Sequence, residues 1–207
     1  MRTAEIARSL GVPADRVVLS PKPGTATEAD CARCERPTEL IGGTLVEKPA
    51  DNFVSRVGFQ IAFAIQTSAD AAGVDVRLSG PDGSFRTAGG NLRLPSVGVT
   101  RAERIRGDVT AAVPDWVPDL AVEVPSLSNT PKEMAEKRAE FFAAGVAEVW
   151  EVDPRGRTAR VFRDGGLVRT LAENDALEGG EILPGFSAAL GETIDAAAAG
   201  LVPAAGR

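Results

Sequence analysis

Histidine and tyrosine are both absent from this 207-residue chain. Without histidine, the commonest general base and the commonest transition-metal ligand are missing. A Ser-His-Asp or Cys-His mechanism cannot be assembled from this chain. Acid–base or metal chemistry falls to Asp, Glu and Lys, and oxygen ligands of that kind suit hard cations such as Mg²⁺ or Mn²⁺. Cysteine is scarce. Cys31 and Cys34 form a lone CxxC in TEADCARCER, with no second pair to complete a zinc site and no βαβ pattern around them. They read as two small residues one turn apart on a short helix. No apolar run approaches the roughly 20 residues that cross a bilayer. The stretch MRTAEIARSLGVP lacks a signal peptide's apolar core and cleavage site, so the expected location is cytoplasmic. Positive charge is also in deficit: 23 Lys and Arg face 29 Asp and Glu, for a net charge of -6. No global field therefore draws nucleic acid to the protein. Two arginine clusters, Arg101/Arg104/Arg106 and Arg155/Arg157/Arg160/Arg163, leave room for a local basic groove, but they also read as ordinary solvated surface.

What is present is the composition of a soluble globular protein, 43% hydrophobic and 25% charged. The length suits one domain with a real core. Residues 1–24 end in the turn-rich SPKPG and read as an N-terminal extension, an appendage to the domain or a poorly ordered arm. Thr25 with Glu28 resembles a capping box opening a short helix to about Arg36. TELIGGTLVEK has two alternating strands flanking Gly42-Gly43, a hairpin signal. Residues 51–69 repeat apolar side chains at helical spacing (Phe53, Val57, Ile61, Ala64, Ile65) behind a capping Asp51 or Asn52. Strands are expected over 73–78, over 91–100 with a break at Pro95, and over 120–124. Thr130-Pro131-Lys132-Glu133 is a helix start with cap, N1 proline and closing glutamate. That helix should run to Ala144 and stop at Gly145. Strands over 146–152, 158–163 and 167–171 follow, with Trp150 in the core. Residues 191–207 read as an alanine-rich, frayed tail. A strand–helix–strand unit around Glu123 and Trp150 predicts one crossover in a mixed sheet.

The candidate site begins with Pro118-Asp119-Leu120-Ala121-Val122-Glu123-Val124. Leu120, Val122 and Val124 share one strand face, and Ala121 and Glu123 share the other. A lone carboxylate in an apolar strand calls for a cation, a metal or a hydrogen-bond network. Glu123 fits a metal position or a half-exposed partner of a cross-strand arginine. Lys137 fits an i,i+4 pair with Glu133, yet with Met134 and Phe141 it borders the core-facing stripe, as does Arg138. Asp119 shares the face of Glu123 but lies about 13 Å away along the strand, too far to share one ion. Asp82 sits in a turn signal.

Together the segments TELIGGTLVEKP, NLRLPSVGV, PDLAVEVPSLSNTPKEMAEKRAEFFAAGVAEVWEVDP and EILPGF resemble the Uma (Uma-two) family of the PD-(D/E)xK restriction-endonuclease-like superfamily. The resemblance spans about residues 25–190. It implies an α/β (α+β) restriction-endonuclease-like fold, a central mixed sheet flanked by helices with an N-terminal hairpin. It also implies Mg²⁺- or Mn²⁺-dependent cleavage of DNA, and it leans towards a homodimer. Matched position by position, Glu123 is the family's strand glutamate and Lys137 the lysine on the following helix. Glu39, with Glu47 as a further match, falls on acidic positions of the hairpin. The family's Pro-Asp-Val is Pro95-Ser96-Val97 in this chain, so Ser96 stands at the expected metal-binding aspartate. Pro125 and Leu127 depart from the family pattern just after Glu123. The expected metal set is thus Glu123 and Ser96. The implied function is an endonuclease weakened at that site, the alternative being an inactive nuclease fold used for DNA binding or protein interaction.

Overall fold

The structure is a computed structural model that describes residues 3–49 and 51–199. In chain order its elements are helix α1 (Thr3–Leu10), helix α2 (Glu28–Cys31), strands β1 (Thr38–Ile41) and β2 (Thr44–Glu47), and the long helix α3 (Asn52–Ala72). Strands β3 (Val76–Ser79), β4 (Phe85–Arg86), β5 (Leu92–Arg93), β6 (Val97–Arg101) and β7 (Leu120–Glu123) follow, then helix α4 (Pro131–Ala143). The chain continues through β8 (Glu148–Asp153), β9 (Thr158–Arg163), β10 (Gly166–Leu171), β11 (Ala176–Glu178) and β12 (Ser187–Ala189) to helix α5 (Leu190–Ala198).

A six-stranded sheet ordered β10-β9-β8-β7-β6-β3 forms the centre, with a four-stranded sheet β2-β1-β5-β4 beside it. Only β7 and β8 run parallel, joined through α4, and the rest of the central sheet is antiparallel. This is the expected mixed sheet with one crossover. The strand alternation assigns the two faces. Leu120, Val122 and Val124 join Val57, Ile61 and Ile65 of α3 and Ile194 of α5 in the larger core, while Ala121 packs with Phe141 of α4 and Val149 of β8. Burial at this density removes most of these side chains from water, at roughly 25 cal/mol per Å². Trp150 lies fully buried in the larger core.

Local signals set the element ends. Thr130 and Glu133 form a reciprocal capping box, Pro131 occupies the first turn, and Gly145 follows the helix at φ 97°. Asp51 caps α3 through its bond with the Val54 N–H. Gly42 and Gly43 turn the hairpin at φ 54° and 68°. The cap of α2 is Thr27 with Asp30, not Thr25 with Glu28. Two overlapping frames in Thr25-Ala26-Thr27-Glu28-Ala29-Asp30 fit the same short-range pattern, and only one is realised.

Both chain ends differ from their expected looseness. Ile6, Ala7, Val12 and Val17 pack against Ile41 and Val46 of the hairpin. Arg16 donates two bonds to Glu133, at 2.9 and 2.7 Å, tying the first segment to the start of α4. The alanine-rich stretch is also ordered as far as it is described: Leu190, Ile194 and Ala197 of α5 are buried in the main core. The remainder of the expected tail, 200–207, lies outside the described residues. The strand expected over 91–100 is two strands in different sheets. Pro95, which has no N–H for a ladder, marks the crossing between them.

Candidate functional site

The crossing at Leu94-Pro95-Ser96 brings the small sheet, the tip of β7 and the middle of α4 together around one cleft of about 950 Å³. Glu39 of β1, Lys48 just after β2, Ser96, Glu123 and Lys137 all line it. Glu39, Ser96, Glu123 and Lys137 are buried.

Lys137 is the hub. Its ammonium lies 2.8 Å from Glu39 Oε1 and 2.8 Å from Glu123 Oε1, and it donates to the Leu94 carbonyl at 2.8 Å. The i,i+4 pairing with Glu133 does not form, because Glu133 is taken by Arg16. Arg138, the other candidate on the same stripe, pairs with Glu151 instead. Glu39 also receives Arg93 at 2.9 Å and the Leu94 N–H at 3.0 Å. Arg93 reaches on to Glu140 at 2.8 and 2.6 Å. Glu123 is less well served. Its Oε1 is within ion-pair distance of Lys137 but out of line for a hydrogen bond, so this buried oxygen has no directed donor.

The two carboxylates therefore differ in character. Burial alone would raise both. At Glu39, Lys137 and Arg93 outweigh burial, and the Leu94 N–H helps hold the carboxyl far below its ordinary range. At Glu123 burial wins: Lys137 and Lys48 pull the carboxyl down only in part, and it stays above its ordinary value. Burial works against charge on Lys137, but Glu123 and Glu39 outweigh it and hold the ammonium above its usual value. Of these two carboxylates, Glu123 is the one held above its ordinary value.

Sequence reasoning missed Lys48 and Arg93. Lys48, partly open to the cleft, donates to the carbonyls of Pro81, Leu94 and Pro95 at 3.1, 2.9 and 3.2 Å. The chain crossing between sheets leaves carbonyls outside any ladder, and two lysines satisfy them. Burial, with the nearby Lys137 charge, pushes the Lys48 ammonium down to about 8. No local signal marks this lysine, which in sequence is only a charge at a strand end. A pH prediction follows. A lysine lowered on folding keeps fewer protons than in the unfolded chain between its folded and ordinary values, so stability rises with pH there. For Lys48 that window runs from about 8 to 10.5. Urea denaturation of the wild type against Lys48→Met should show the difference shifting in favour of the wild type across that window. A flat difference would remove Lys48 from the set of strained groups.

The other singled-out residues separate cleanly. Ser96 stands across from Glu123 in the register that pairs Val97 with Val122, and its Oγ accepts the Val124 N–H at 3.1 Å. Glu47 lies on the cleft wall, paired with Arg36 at 3.1 Å and away from Lys137's contacts. Asp119 is fully buried against Arg101 and Arg104, a structural pair remote from Glu123. The second arginine cluster is also paired, Arg155 with Asp51, Arg157 with Glu173 and Asp195, Arg160 with Glu151, and Arg163 with Glu148. Cys31 and Cys34 are free thiols, and burial pushes the Cys31 thiol up to about 11, far from a reactive thiolate.

As folded, the position between Glu39 and Glu123 is filled by the Lys137 ammonium. Among the described residues no group of three or more acidic, histidine or cysteine side chains could hold a metal. In the connected network, the carboxylates of Glu39, Glu123 and Glu140 already face the cations Lys137, Arg93 and Lys48. The hydroxyl of Ser96 adds no charge. A second, smaller cleft of about 480 Å³ beside Arg86, Arg104 and Trp116 lies apart from these groups.

Comparisons agree with this architecture. A crystal structure of a putative nuclease belonging to DUF820, from Anabaena variabilis, superposes with a TM-score of 0.71 at 17% identity, over 83% of this chain and 98% of that one. At that identity the likeness shows the fold. No curated protein matches the chain. No helix among the described residues is long and apolar enough to cross a membrane. The Uma2 family, described as putative restriction endonuclease, matches residues 31–191, from the end of α2 into α5, and takes in Glu39, Lys48, Ser96, Glu123 and Lys137 of the cleft. The match covers well over half of the sequence, and the chain belongs to the Uma2 family.

Proposed function

We propose that this protein is a DNA endonuclease whose Mg²⁺- or Mn²⁺-dependent phosphodiester hydrolysis is weakened at its own site. The observation that carries this reading is the meeting of Glu123, Lys137, Glu39 and Ser96 in one cleft, with serine at the position across from Glu123. In this reading Lys137 and Lys48 bring positive charge towards a phosphodiester backbone lying in the cleft. Glu123, with its raised carboxyl, gives or takes a proton beside them. DNA is the substrate, and the homodimer that the family resemblance implies and the cytoplasmic location expected from the sequence belong to the same proposal. The neutral network favours a second reading, a silent nuclease fold that binds DNA or another protein.

Nicking of supercoiled plasmid separates the two. The wild type should nick slowly, only with Mn²⁺ or Mg²⁺ present, and Glu123→Gln should reduce the rate about a hundredfold or more. Binding without metal-dependent nicking would support the silent fold. Nicking that Glu123→Gln leaves intact would place the chemistry elsewhere.

A further inference from the structure

Three segments far apart in sequence point oxygens at one place. Glu39 Oε1 from β1, Glu123 Oε1 from β7 and the Leu94 carbonyl from the sheet crossing each lie 2.8 Å from Lys137 Nζ. Two carboxylate oxygens and a carbonyl form a donor set typical of hard divalent cations, which hold such oxygens at about 2.0–2.6 Å. A small contraction separates this ammonium cage from an ion cage. The fit of the ammonium is also incomplete in direction: Glu123 Oε1, on a residue 5% exposed, receives no aligned donor. An ion, whose attraction does not depend on the direction of an N–H bond, would satisfy that oxygen fully. The other nearby cation occupies a different place. Lys48 is held by three carbonyls and shares only Leu94 O with Lys137, so it sits beside the carboxylates, not between them.

We propose that Lys137 is the resident cation of this site, its ammonium occupying the position between Glu39, Glu123 and the Leu94 carbonyl that a divalent ion would take. Lysine and metal then compete for one position. Native metal affinity is low because an ion must expel a buried ammonium, in addition to any effect of the serine at 96. This deepens the proposed function at the same cleft, but it concerns metal binding alone and is tested without DNA. Absence of nicking by every variant would therefore leave it intact.

The experiment is calorimetric titration of Mn²⁺ into the full-length chain and four variants. Lys137→Met vacates the position, and Lys137→Gln vacates it while keeping a neutral donor for Leu94. Lys48→Met removes the same charge close by without vacating it. Lys137→Met/Glu123→Gln removes one wall. The Lys137 variants should bind one Mn²⁺ at least about tenfold more tightly than the wild type, while Lys48→Met stays within about threefold of it. The double variant should lose the gain. Without metal, the Lys137 variants should melt lower than the wild type, and Mn²⁺ should raise their melting temperatures while leaving the wild type's almost unchanged. The proposal is overturned if the wild type binds Mn²⁺ as tightly as the Lys137 variants. It is equally overturned if those variants fold and bind none, or if neither folds even with Mn²⁺ supplied. A gain in Lys48→Met equal to that in Lys137→Met would also overturn it, because the effect would then be general charge and not position.

Discussion

Ser96→Asp should convert this chain into a clearly metal-responsive nuclease. The residue stands across from Glu123, is buried, and already accepts the Val124 N–H through its side-chain oxygen. An aspartate can keep that bond with one oxygen and turn the other towards Glu123. The substitution also changes the charge of the network. Three carboxylates matched by three cations become four, and the excess negative charge has no matching cation in this network among the described residues. Two results follow. Without metal the variant should be less stable than the wild type, since an unpaired buried charge is costly. With Mn²⁺ that loss should reverse, and cleavage should increase. Removing even outer-shell partners of a metal typically costs 10–100-fold in affinity or activity, so adding a direct carboxylate ligand should raise metal-dependent nicking by at least about tenfold. Plasmid nicking and melting curves, each with Mn²⁺ and with a chelator, check both parts. A folded variant with neither a metal-dependent melting shift nor faster nicking would show that position 96 is not where the missing ligand belongs.

The second large effect is on stability. Arg93→Met should cost about 3–5 kcal/mol, the usual penalty for removing one partner of a buried ion pair, against a typical total of about 5–15 kcal/mol. Arg93 is 1% exposed and spans Glu39 on the small sheet and Glu140 on α4. Its loss strands Glu39, on a residue 2% exposed, with only Lys137 and one N–H, while Glu140 at 18% side-chain exposure recovers some solvation. The pH dependence has a defined sign. Glu39 is lowered in the folded state, so the stability it contributes is present above its ordinary value of 4.5 and is lost as pH falls below it. The Arg93→Met penalty should therefore shrink in acid, and Arg93→Met/Glu39→Gln should recover part of it at neutral pH. Urea denaturation at pH 7 and pH 4 measures both. A penalty under about 1 kcal/mol at pH 7 would mean that apolar packing, not this ionic link, joins the two sheets.

Much of the site's scaffold could be read from local signals. The capping box at Thr130 and Glu133, the glycine pair of the hairpin and the alternation through Leu120 to Val124 all act over a few residues, and each appears where expected. The resemblance placed Glu39, Ser96, Glu123 and Lys137 at one site, and the fold brings them to one cleft. The packing of the N-terminal segment could not be read locally, because its apolar residues have no partner until the hairpin presents Ile41 and Val46. The packing of the C-terminal helix was hidden similarly. An alanine-rich segment shows little pattern until α3 and the sheet supply a surface for Leu190 and Ile194.

The sequence by itself determined which chemistries were open to this protein. A chain without histidine or tyrosine leaves acid, amine and hard-cation chemistry, and its capping residues, turns and strand alternation set where most elements begin and end, because those forces act between near neighbours. The tertiary structure alone decided which charges meet. Lys137 serves Glu39 and Glu123 rather than Glu133, Arg93 ties two sheets together, and Lys48 enters the cleft as a second amine. Those pairings join residues well beyond one another's local range, most of them tens of positions apart. In a low-dielectric interior the energy of a charge depends on what lies within a few ångströms, and chain distance carries no information about that.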